Sequence, residues 1–380
     1  MTEPRDATPA ELEDWDARAV DAPGGHVYQS RGWAEHRASQ GWRPRFMAWD
    51  DGERALVLTR GWPILSGGSG YVPRGPRPVL GQGASTAARL VAIARRLEDE
   101  GLDVVAADPE VPAADRDFAA GIVEAGFAPI EEIQPSRHRL TRPLAGLDED
   151  AALAGIAKST RQRIRKADAS GIVVARHDTG TTAAGPGEGF CSPWLPSDAA
   201  LDRFYDLLLA TGERRRFTFG PRSDFVAWWR RALAAGHLVY LEAWAPGAAA
   251  DDEPLAGLIL YRHGRRLSTV HSGDRETGRR DHPGALHLLR WRALQLAIRE
   301  GRDELDLGGA DVAGARREPR AGESMWGLYE HKRSFGGQWL ELTGAHERVA
   351  RPWRYALGRG VAAGRRRLPL GRLGPSRSAR

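Results

Sequence analysis

The chain has 380 residues, of which 41% are hydrophobic and 28% are charged, and its formal net charge is +5. This composition is typical of a globular protein large enough for two domains, and it excludes a disordered or fibrous chain. The single cysteine, Cys191, excludes a disulfide framework, and an acidic N-terminus without a long apolar run anywhere predicts a cytoplasmic protein.

Helices and strands are predicted to alternate through the first third of the chain. The pattern indicates a helix at 28–37, strands at 45–49, 54–62 and 71–76, an amphipathic helix at 86–100, a strand at 102–108, a helix at 115–125, and strands near 127 and at 137–140. The stretch at 81–86 matches neither the P-loop nor the dinucleotide fingerprint. We interpret it as a turn followed by a Ser85 or Thr86 helix cap.

A second series of elements follows a polar junction at 141–146. The pattern indicates a helix at 148–169, a surface insertion at 178–197, helices at 198–211 and 223–235, strands at 237–244, 255–261 and 266–271, and a long helix at 283–299. A strand through Leu305 and Leu307, a loop, a short helix capped by Ser324 and a strand at 338–342 complete the series. The chain therefore contains two successive α/β units.

Two stretches are strongly basic. The predicted helix at 148–169 carries five cations within about two and a half turns, namely Lys158, Arg161, Arg163, Arg165 and Lys166. Residues 351–380 hold nine arginines and no acid. Each stretch is either a solvated surface or a contact for phosphate, and for the C-terminal stretch that phosphate belongs to RNA or to anionic lipid.

Lys332 falls in the last turn of the short helix that precedes Gly336. The chain has 55 Lys and Arg residues, of which only three are lysines, so a retained lysine is informative. Arg is a planar fork and Lys is a compact point charge, and a site that needs a point charge resists replacement by Arg. The alternative is a cation that stabilises the helix dipole.

Six motifs in order resemble the FemABX family, bacterial aminoacyltransferases that build peptidoglycan interpeptide bridges from aminoacyl-tRNA. They are QSRGWAEHR, GYVPRGP, DVVAADP, KSTRQRIRKA, LDLGGA and YEHKRSFGG, and the resemblance spans about residues 26–350. It implies an α/β (α+β) fold of two tandem GNAT-like domains with mixed sheets flanked by helices. The first domain would be 1–146, joined by 337–350, the second 147–336, and the basic tail 351–380.

The resemblance also implies roles for individual residues. Arg37, and either Arg222 or Arg216, would hold the diphosphate of a cell-wall precursor, since Arg binds phosphate well. Asp108 would lie near the acceptor amine, and Lys332 near the donor, where a cation stabilises an oxyanion or the terminal ribose-phosphate. The matching motifs add four substrate-binding candidates, Arg74, Arg165, Phe335 and Gly336.

The resemblance is incomplete at two positions, so the donor and the acceptor stay open. His331 replaces an aromatic residue that often precedes the lysine, and the stretch 271–273 is His-Ser-Gly where the family tends to have Tyr-Gly-Ala. The chain has no HExxH or Gly-x-Ser-x-Gly motif. Transfer from an activated tRNA ester needs oriented substrates and a neutral amine, so neither a catalytic triad nor a metal or cofactor is expected.

We therefore predict an enzyme that moves an amino acid from aminoacyl-tRNA to the side-chain amine of a peptidoglycan precursor, either lipid II or UDP-MurNAc-peptide. Residues 351–380 would contact the inner face of the plasma membrane, and no DNA partner is expected. One alternative is a related N-acyltransferase that acts on an amino sugar or small amine with a non-tRNA donor. The other is a noncatalytic module that binds RNA or anionic membrane.

Overall fold

The computed structural model of the protein describes residues 3–79, 81–179, 197–215, 219–249 and 252–367. The strands are β1 Arg5–Asp6, β2 Arg43–Ala48, β3 Arg54–Gly61, β4 Gly68–Val72, β5 Val104–Ala107, β6 Ala128–Pro129, β7 Arg139–Pro143, β8 Val173–His177, β9 Leu238–Trp244, β10 Ala256–His263, β11 Arg266–Asp274, β12 Glu304–Asp306, β13 Gln338–Leu340 and β14 His346–Val349. The α-helices are α1 Pro9–Glu13, α2 Arg31–Ser39, α3 Gly83–Asp99, α4 Arg116–Glu124, α5 Glu149–Ala154, α6 Lys158–Ala169, α7 Ser197–Arg215, α8 Arg222–Ala234, α9 Glu276–Asp281, α10 Ala285–Arg299, α11 Trp326–Arg333 and α12 Pro352–Arg367.

These elements form two compact units. Unit 1 contains the described residues of 1–138, 313–317 and 340–375, and unit 2 contains those of 139–312 and 318–339. The boundary between unit 1 and unit 2 lies between His138 and Arg139, whereas the sequence predicts it after residue 146. The reason is that β7 pairs antiparallel with β12 of the second sheet, so this strand belongs to unit 2.

Unit 1 is built on a seven-stranded mixed sheet in the order β1-β2-β3-β4-β5-β14-β6. β4 and β5 run parallel, and β14 returns near the end of the chain to pair antiparallel with β5, with His346 opposite Ala107 and Val349 opposite Val104. The predicted apolar stripe of α3 is buried in the core with strand residues of this sheet. The expected return of 337–350 to the first unit thus applies to β14, while β13 joins the other sheet.

Unit 2 has a second seven-stranded sheet in the order β13-β7-β12-β11-β10-β9-β8. The hydrophobic core of unit 2 lies between one face of this sheet and α10. The leucines and alanines of α10 are buried on nearly every side of the helix. β11 carries one extra residue, Val270, because Ile259 pairs with His271 and Leu260 pairs with Thr269. Such a bulge bends its strand and is frequent beside functional sites. Two mixed sheets flanked by helices confirm the predicted fold class.

The single helix predicted at 148–169 is wrong, because the chain forms α5 and α6 with a break between them. Gly155 caps α5, and the amide of Ala157 donates to the carbonyl of Ser334 (2.8 Å) instead of continuing the helix. α6 then buries Thr160, Ile164 and Ala167. Most of its cations, Arg165 among them, are exposed.

Two predicted helix caps are also wrong. α3 begins earlier than expected, with Gln82 at its N-cap, so Ser85 and Thr86 lie inside the helix. α11 begins at Trp326 with Met325 at the N-cap and no side-chain cap, so Ser324 does not cap it. The predicted insertion at 178–197 falls mostly outside the described residues. In the described part of the chain, no helix combines the length and apolar character needed to cross a bilayer.

Candidate functional site

The sheet of unit 2 opens between the parallel strands β11 and β12. They pair over three residues, from Arg266 opposite Glu304 to Ser268 opposite Asp306, and then separate. β11 continues through its bulge, whereas the chain after β12 turns toward Leu140, whose carbonyl accepts from the amide of Leu307 (2.8 Å). β11 beyond Ser268 therefore has no paired residue on β12, and we call this part of the sheet the open edge.

Lys332 lies at this opening. Its Nζ donates to the carbonyl of Gly309 (2.7 Å), in the turn after β12, and the residue is only 6% exposed. Gly308 has φ +78°, and a Cβ there would lie 3.0 Å from the carbonyl oxygen of Thr269 and 3.1 Å from the ammonium. A side chain at position 308 would therefore crowd the Lys332 ammonium, and glycine avoids this contact. The ammonium thus contacts the turn after β12, while Lys332 itself lies in the last turn of α11.

The charge state of Lys332 is adjustable near neutral pH. Burial, and then the positive charge of Arg290, lower its pKa from 10.5 to about 7, while Asp306 and Asp311 act in the opposite direction. A cation with so low a pKa is costly to keep charged in the protein interior. A negatively charged ligand bound beside Lys332 would therefore stabilise its charged form. Groups with perturbed pKa values are frequent at functional sites.

A neutral aromatic wall lies beside the lysine. The rings of His287 and His331 meet edge to face at 4.8 Å, and His331 contacts Phe335 at 5.4 Å. Burial is the main cause that lowers the pKa of His287 to about 4 and that of His331 to about 2, so both are neutral at pH 7. Neutral histidines add hydrogen-bonding groups here without adding charge.

Phe335 and Gly336 adjoin this wall. The Phe335 ring is fully buried, and its carbonyl accepts from Nη1 of Arg142 (2.6 Å). Gly336 has φ +83°, and a Cβ there would press on the Arg142 guanidinium at 3.2 Å. Both residues were predicted to bind substrate, and their geometry gives them a role in shaping the wall.

We expect Lys332 to titrate near pH 7 in the folded protein. Amine ¹⁵N labelling should give three lysine signals, with exposed Lys158 and Lys166 assigned by substitution. An unfolded lysine has a pKa of about 10.4, so the destabilising effect of burying Lys332 is full below pH 7 and disappears between about 7 and about 10. Stability should therefore rise with pH across this window. A Lys332 signal that titrates above pH 9 would contradict the buried location.

In unit 1, Asp108 lies at the end of β5 and is 1% exposed. It accepts from the Tyr71 hydroxyl (3.0 Å) and from the backbone amide of Arg74 (2.7 Å), and Arg74 Nε lies 3.7 Å away. Burial raises the pKa of this carboxyl to about 6. Arg74, at φ +50°, also donates to the carbonyl of Ser136 (3.1 Å). Asp108 and Arg74 thus hold the turn after β4, and the carboxylate is enclosed by its own donors.

Arg37, also in unit 1, lies on α2 against two aromatic rings. Its guanidinium is 5.5 Å from the centre of the Trp33 ring and 5.4 Å from that of Trp42, and Nη1 donates to Gln40 (2.5 Å). Cation–π contacts hold the planar group in one orientation. Arg37 is half-buried and preorganised, which suits a site that binds phosphate.

The remaining predicted anion contacts differ in their surroundings. Arg222 begins α8, is ion-paired with Asp206, donates to the carbonyl of Asp202 (3.0 Å) and covers the Tyr205 ring at 4.8 Å. A diphosphate would have to compete with Asp206 for this guanidinium. Arg216 lies outside the described residues.

Three residues of the unit 2 site were missed from the sequence, namely His287, Arg290 and Asp311. The signal for Arg290 was a cation inside the apolar run LLRWRALQLA of α10. His271, noted only as a departure, has its ring 5.6 Å from Phe225 and 5.7 Å from Trp229, and burial lowers its pKa to about 4. It is therefore a neutral member of an aromatic cluster on the other face of the sheet.

Comparisons with known proteins agree with this architecture. Residues 155–333 match the family described as Acetyltransferase (GNAT) domain. The fold of FemX is similar, with 18% identity, a TM-score of 0.75, and 94% of this chain and 99% of that one covered. L-PGS from Bacillus licheniformis is also similar, at 12% identity and a TM-score of 0.51, with 95% of this chain and 97% of that one covered. No curated protein matches the chain by sequence. At these identities the structural likeness concerns the fold, and the domain match adds an acyltransferase activity.

Proposed function

We propose that this acyltransferase, whose two GNAT-like units give it a FemABX-like fold, moves an amino acid from aminoacyl-tRNA to the side-chain amine of a peptidoglycan precursor. The observation that carries the proposal is the buried ammonium of Lys332 at the open edge between β11 and β12. A carbonyl that approaches this edge meets a cation in a site of low dielectric. The resemblance of the sequence motifs to FemABX supports aminoacyl-tRNA as the donor and a peptidoglycan precursor as the acceptor.

The reaction needs few protein groups. The neutral amine attacks the ester carbonyl carbon, a C–N bond forms, and the carbonyl oxygen becomes an oxyanion. We assign Lys332 to the stabilisation of this oxyanion, because a preorganised donor is most effective where charge develops. Collapse breaks the ester C–O bond, and the ribose hydroxyl leaves with the proton that the amine loses. Asp108 is given a positioning role, because its oxygens are already occupied within unit 1.

The test is transfer from a panel of tRNAs, each charged with one radiolabelled amino acid, to UDP-MurNAc-pentapeptide and to lipid II. We expect a product in which the stem-peptide amine has gained one residue, and we expect ribonuclease treatment of the donor to abolish it. No product with any charged tRNA and either acceptor would contradict the proposal.

A second candidate, an N-acyltransferase with a non-tRNA donor, is favoured by the match of residues 155–333 to an acetyltransferase domain. It predicts transfer from acyl-coenzyme A to an amino sugar or small amine, and insensitivity to ribonuclease. Running both donors in parallel separates the two candidates. Binding of RNA or membrane without any transfer would favour a noncatalytic module.

The C-terminal region contributes a surface for anionic membrane to this proposal. The start of α12 is held to the rest of unit 1, because Arg354 pairs with buried Asp103 (3.1 Å) and the Tyr355 hydroxyl donates to Glu347 (2.8 Å). Trp353 and Leu357, one turn apart, are 68% and 52% exposed. An arginine-rich helix with an exposed Trp and Leu is typical of interfacial binding. The first part of the predicted tail is thus a helix anchored to unit 1.

We expect the double substitution Trp353→Ser and Leu357→Ser to weaken binding to phosphatidylglycerol vesicles by about tenfold or more, because the apolar contact is lost while the arginines remain. The melting temperature should not change, since both side chains are exposed. Vesicle sedimentation measures the effect, and Val123→Ser, an exposed apolar residue on α4, is the matched control. Unchanged vesicle binding with lost RNA binding would assign the surface to RNA.

A further inference from the structure

Arg290 is a buried cation that no carboxylate of the described residues neutralises. It lies in the middle of α10 and is 3% exposed, and its Nε and Nη1 atoms make no hydrogen bond with the part of the chain that the structure describes. No carboxylate of the described residues forms an ion pair with it, and burial lowers its pKa to about 10. A charge enclosed in this way is unfavourable unless something compensates it. The buried guanidinium of Arg290 therefore requires a compensating negative charge or hydrogen-bond acceptor.

Another arginine of α10 shows how this helix pairs a buried arginine. Arg292 is also buried, but its Nη2 donates to Asp168 (2.7 Å) and its Nη1 donates to Gln295 (2.8 Å). Among the described residues, acceptors thus lie beside Arg292 and not beside Arg290. This difference indicates a bound ligand as the acceptor for Arg290.

The groups around Arg290 are basic as well. Its charge lowers the pKa of Lys332, His331 and His287, which places all three within its electrostatic reach. The buried Nε2 of His331 also has no hydrogen-bond partner among the described residues. Arg163 on α6 adds positive charge to both histidines, while Asp306 and Asp311 act on Lys332. The two histidines therefore lie in an electrostatic field dominated by cations.

We propose that Arg290 and His331 form a phosphate-binding subsite in unit 2, with the Lys332 ammonium as a nearby positive charge. The guanidinium fork offers paired N–H donors that match a phosphate, the ammonium adds a point charge, and the neutral imidazole adds a hydrogen bond. The placement of this phosphate in the donor substrate rests on the proposed function. Binding itself does not, because it requires only the described side chains.

The experiment measures binding in the full chain without any transfer. The melting temperature is followed against inorganic phosphate and, in a second arm, against the dinucleotide CpA, with sodium chloride adjusted to constant ionic strength. We expect a rise of several degrees that saturates with inorganic phosphate, and tighter binding of CpA if the phosphate belongs to a nucleic-acid donor. Equal binding in both arms, or tighter inorganic phosphate, would assign the site to free phosphate.

Arg290→Met keeps most of the side-chain length and removes the charge. We expect it to raise the melting temperature without phosphate, because an uncompensated buried charge is lost, and to weaken phosphate binding at least tenfold. Arg292→Met is the matched control, and it should lower the melting temperature while keeping the phosphate response. Arg290→Lys, which keeps the charge but loses the fork, should bind phosphate with an intermediate affinity and serves if the Met variant does not fold.

A wild-type protein without a phosphate-dependent shift would overturn the subsite, and so would a shift of equal size in Arg290→Met or in Arg290→Lys. The outcome is independent of the transfer assay. Phosphate binding through Arg290 without transfer from any charged tRNA would leave the subsite standing and remove the proposed function. Transfer from a charged tRNA without phosphate binding would support the proposed function and overturn the subsite.

Discussion

Lys332→Ala is expected to lower the rate of aminoacyl transfer by about 100-fold or more, the scale found when one preorganised oxyanion donor is removed. The reason is that the ammonium, buried at the open edge of the second sheet, would stabilise the charge that forms on the ester carbonyl. Affinity for the cell-wall precursor should change little, because the proposed contact is with the donor. Single-turnover transfer assays and precursor binding measure the two effects separately.

Two further substitutions distinguish catalysis from helix stabilisation. Lys166 lies in the last turn of α6 and is exposed, so Lys166→Ala is the matched control for loss of a dipole-capping lysine. It should cost about 0.3 to 1 kcal/mol of stability or less, with transfer unchanged. Lys332→Arg should be poorly active, because a larger planar group must fit beside Gly308. A fully active Lys332→Arg enzyme would remove the main reason for the assignment.

Asp108→Ala should destabilise unit 1 by about 3 to 5 kcal/mol, the scale of breaking a buried ion pair from one side. The substitution leaves Arg74 and the Tyr71 hydroxyl without the acceptor that they share. Chemical denaturation measures the change. Asp50→Ala is the control, because Asp50 forms only an exposed pair with Arg5 at 3.3 Å, and such pairs contribute less than about 1 kcal/mol.

The same residue gives a pH dependence with a defined sign. The pKa of Asp108 is about 6 in the folded protein, above the value of about 3.9 of an unfolded aspartate. The folded state therefore binds the extra proton between pH 4 and pH 6, and stability should fall as the pH rises through this window. Asp108→Asn should remove that slope. An Asp108→Ala protein of normal stability that has lost transfer would instead give Asp108 a direct role beside the acceptor amine.

The sequence located the helices and strands with strong apolar periodicity. It located some polar site residues but not their contacts. The stripe of α3 is buried as expected, because an amphipathic helix has only one face to bury. Lys332 was found through its rarity and its place in a helix. Its partner Gly309 was not, because the contact depends on how α11 packs near the turn after β12.

Other features depended on packing that a local pattern does not contain. The break between α5 and α6 follows from a hydrogen bond between Ala157 and Ser334, which are far apart in sequence. Arg290 looked like an interruption in an apolar helix, and its burial without an acceptor became visible only when α10 was placed in the core of unit 2. Likewise, Asp108 was found at its strand end, but its enclosure by Tyr71 and Arg74 was not foreseen.

β14 gives the chain a particular order of assembly. This strand lies between β5 and β6 in the first sheet, yet it is made only after nearly all of unit 2 has been synthesised. Until residue 349 has left the ribosome, β5 presents an unpaired edge, which is a surface prone to wrong pairing. Unit 1 begins the chain, yet its sheet can be completed only after unit 2 has been synthesised. A chain that stops before β14 therefore lacks its C-terminal residues and also leaves the sheet of unit 1 incomplete.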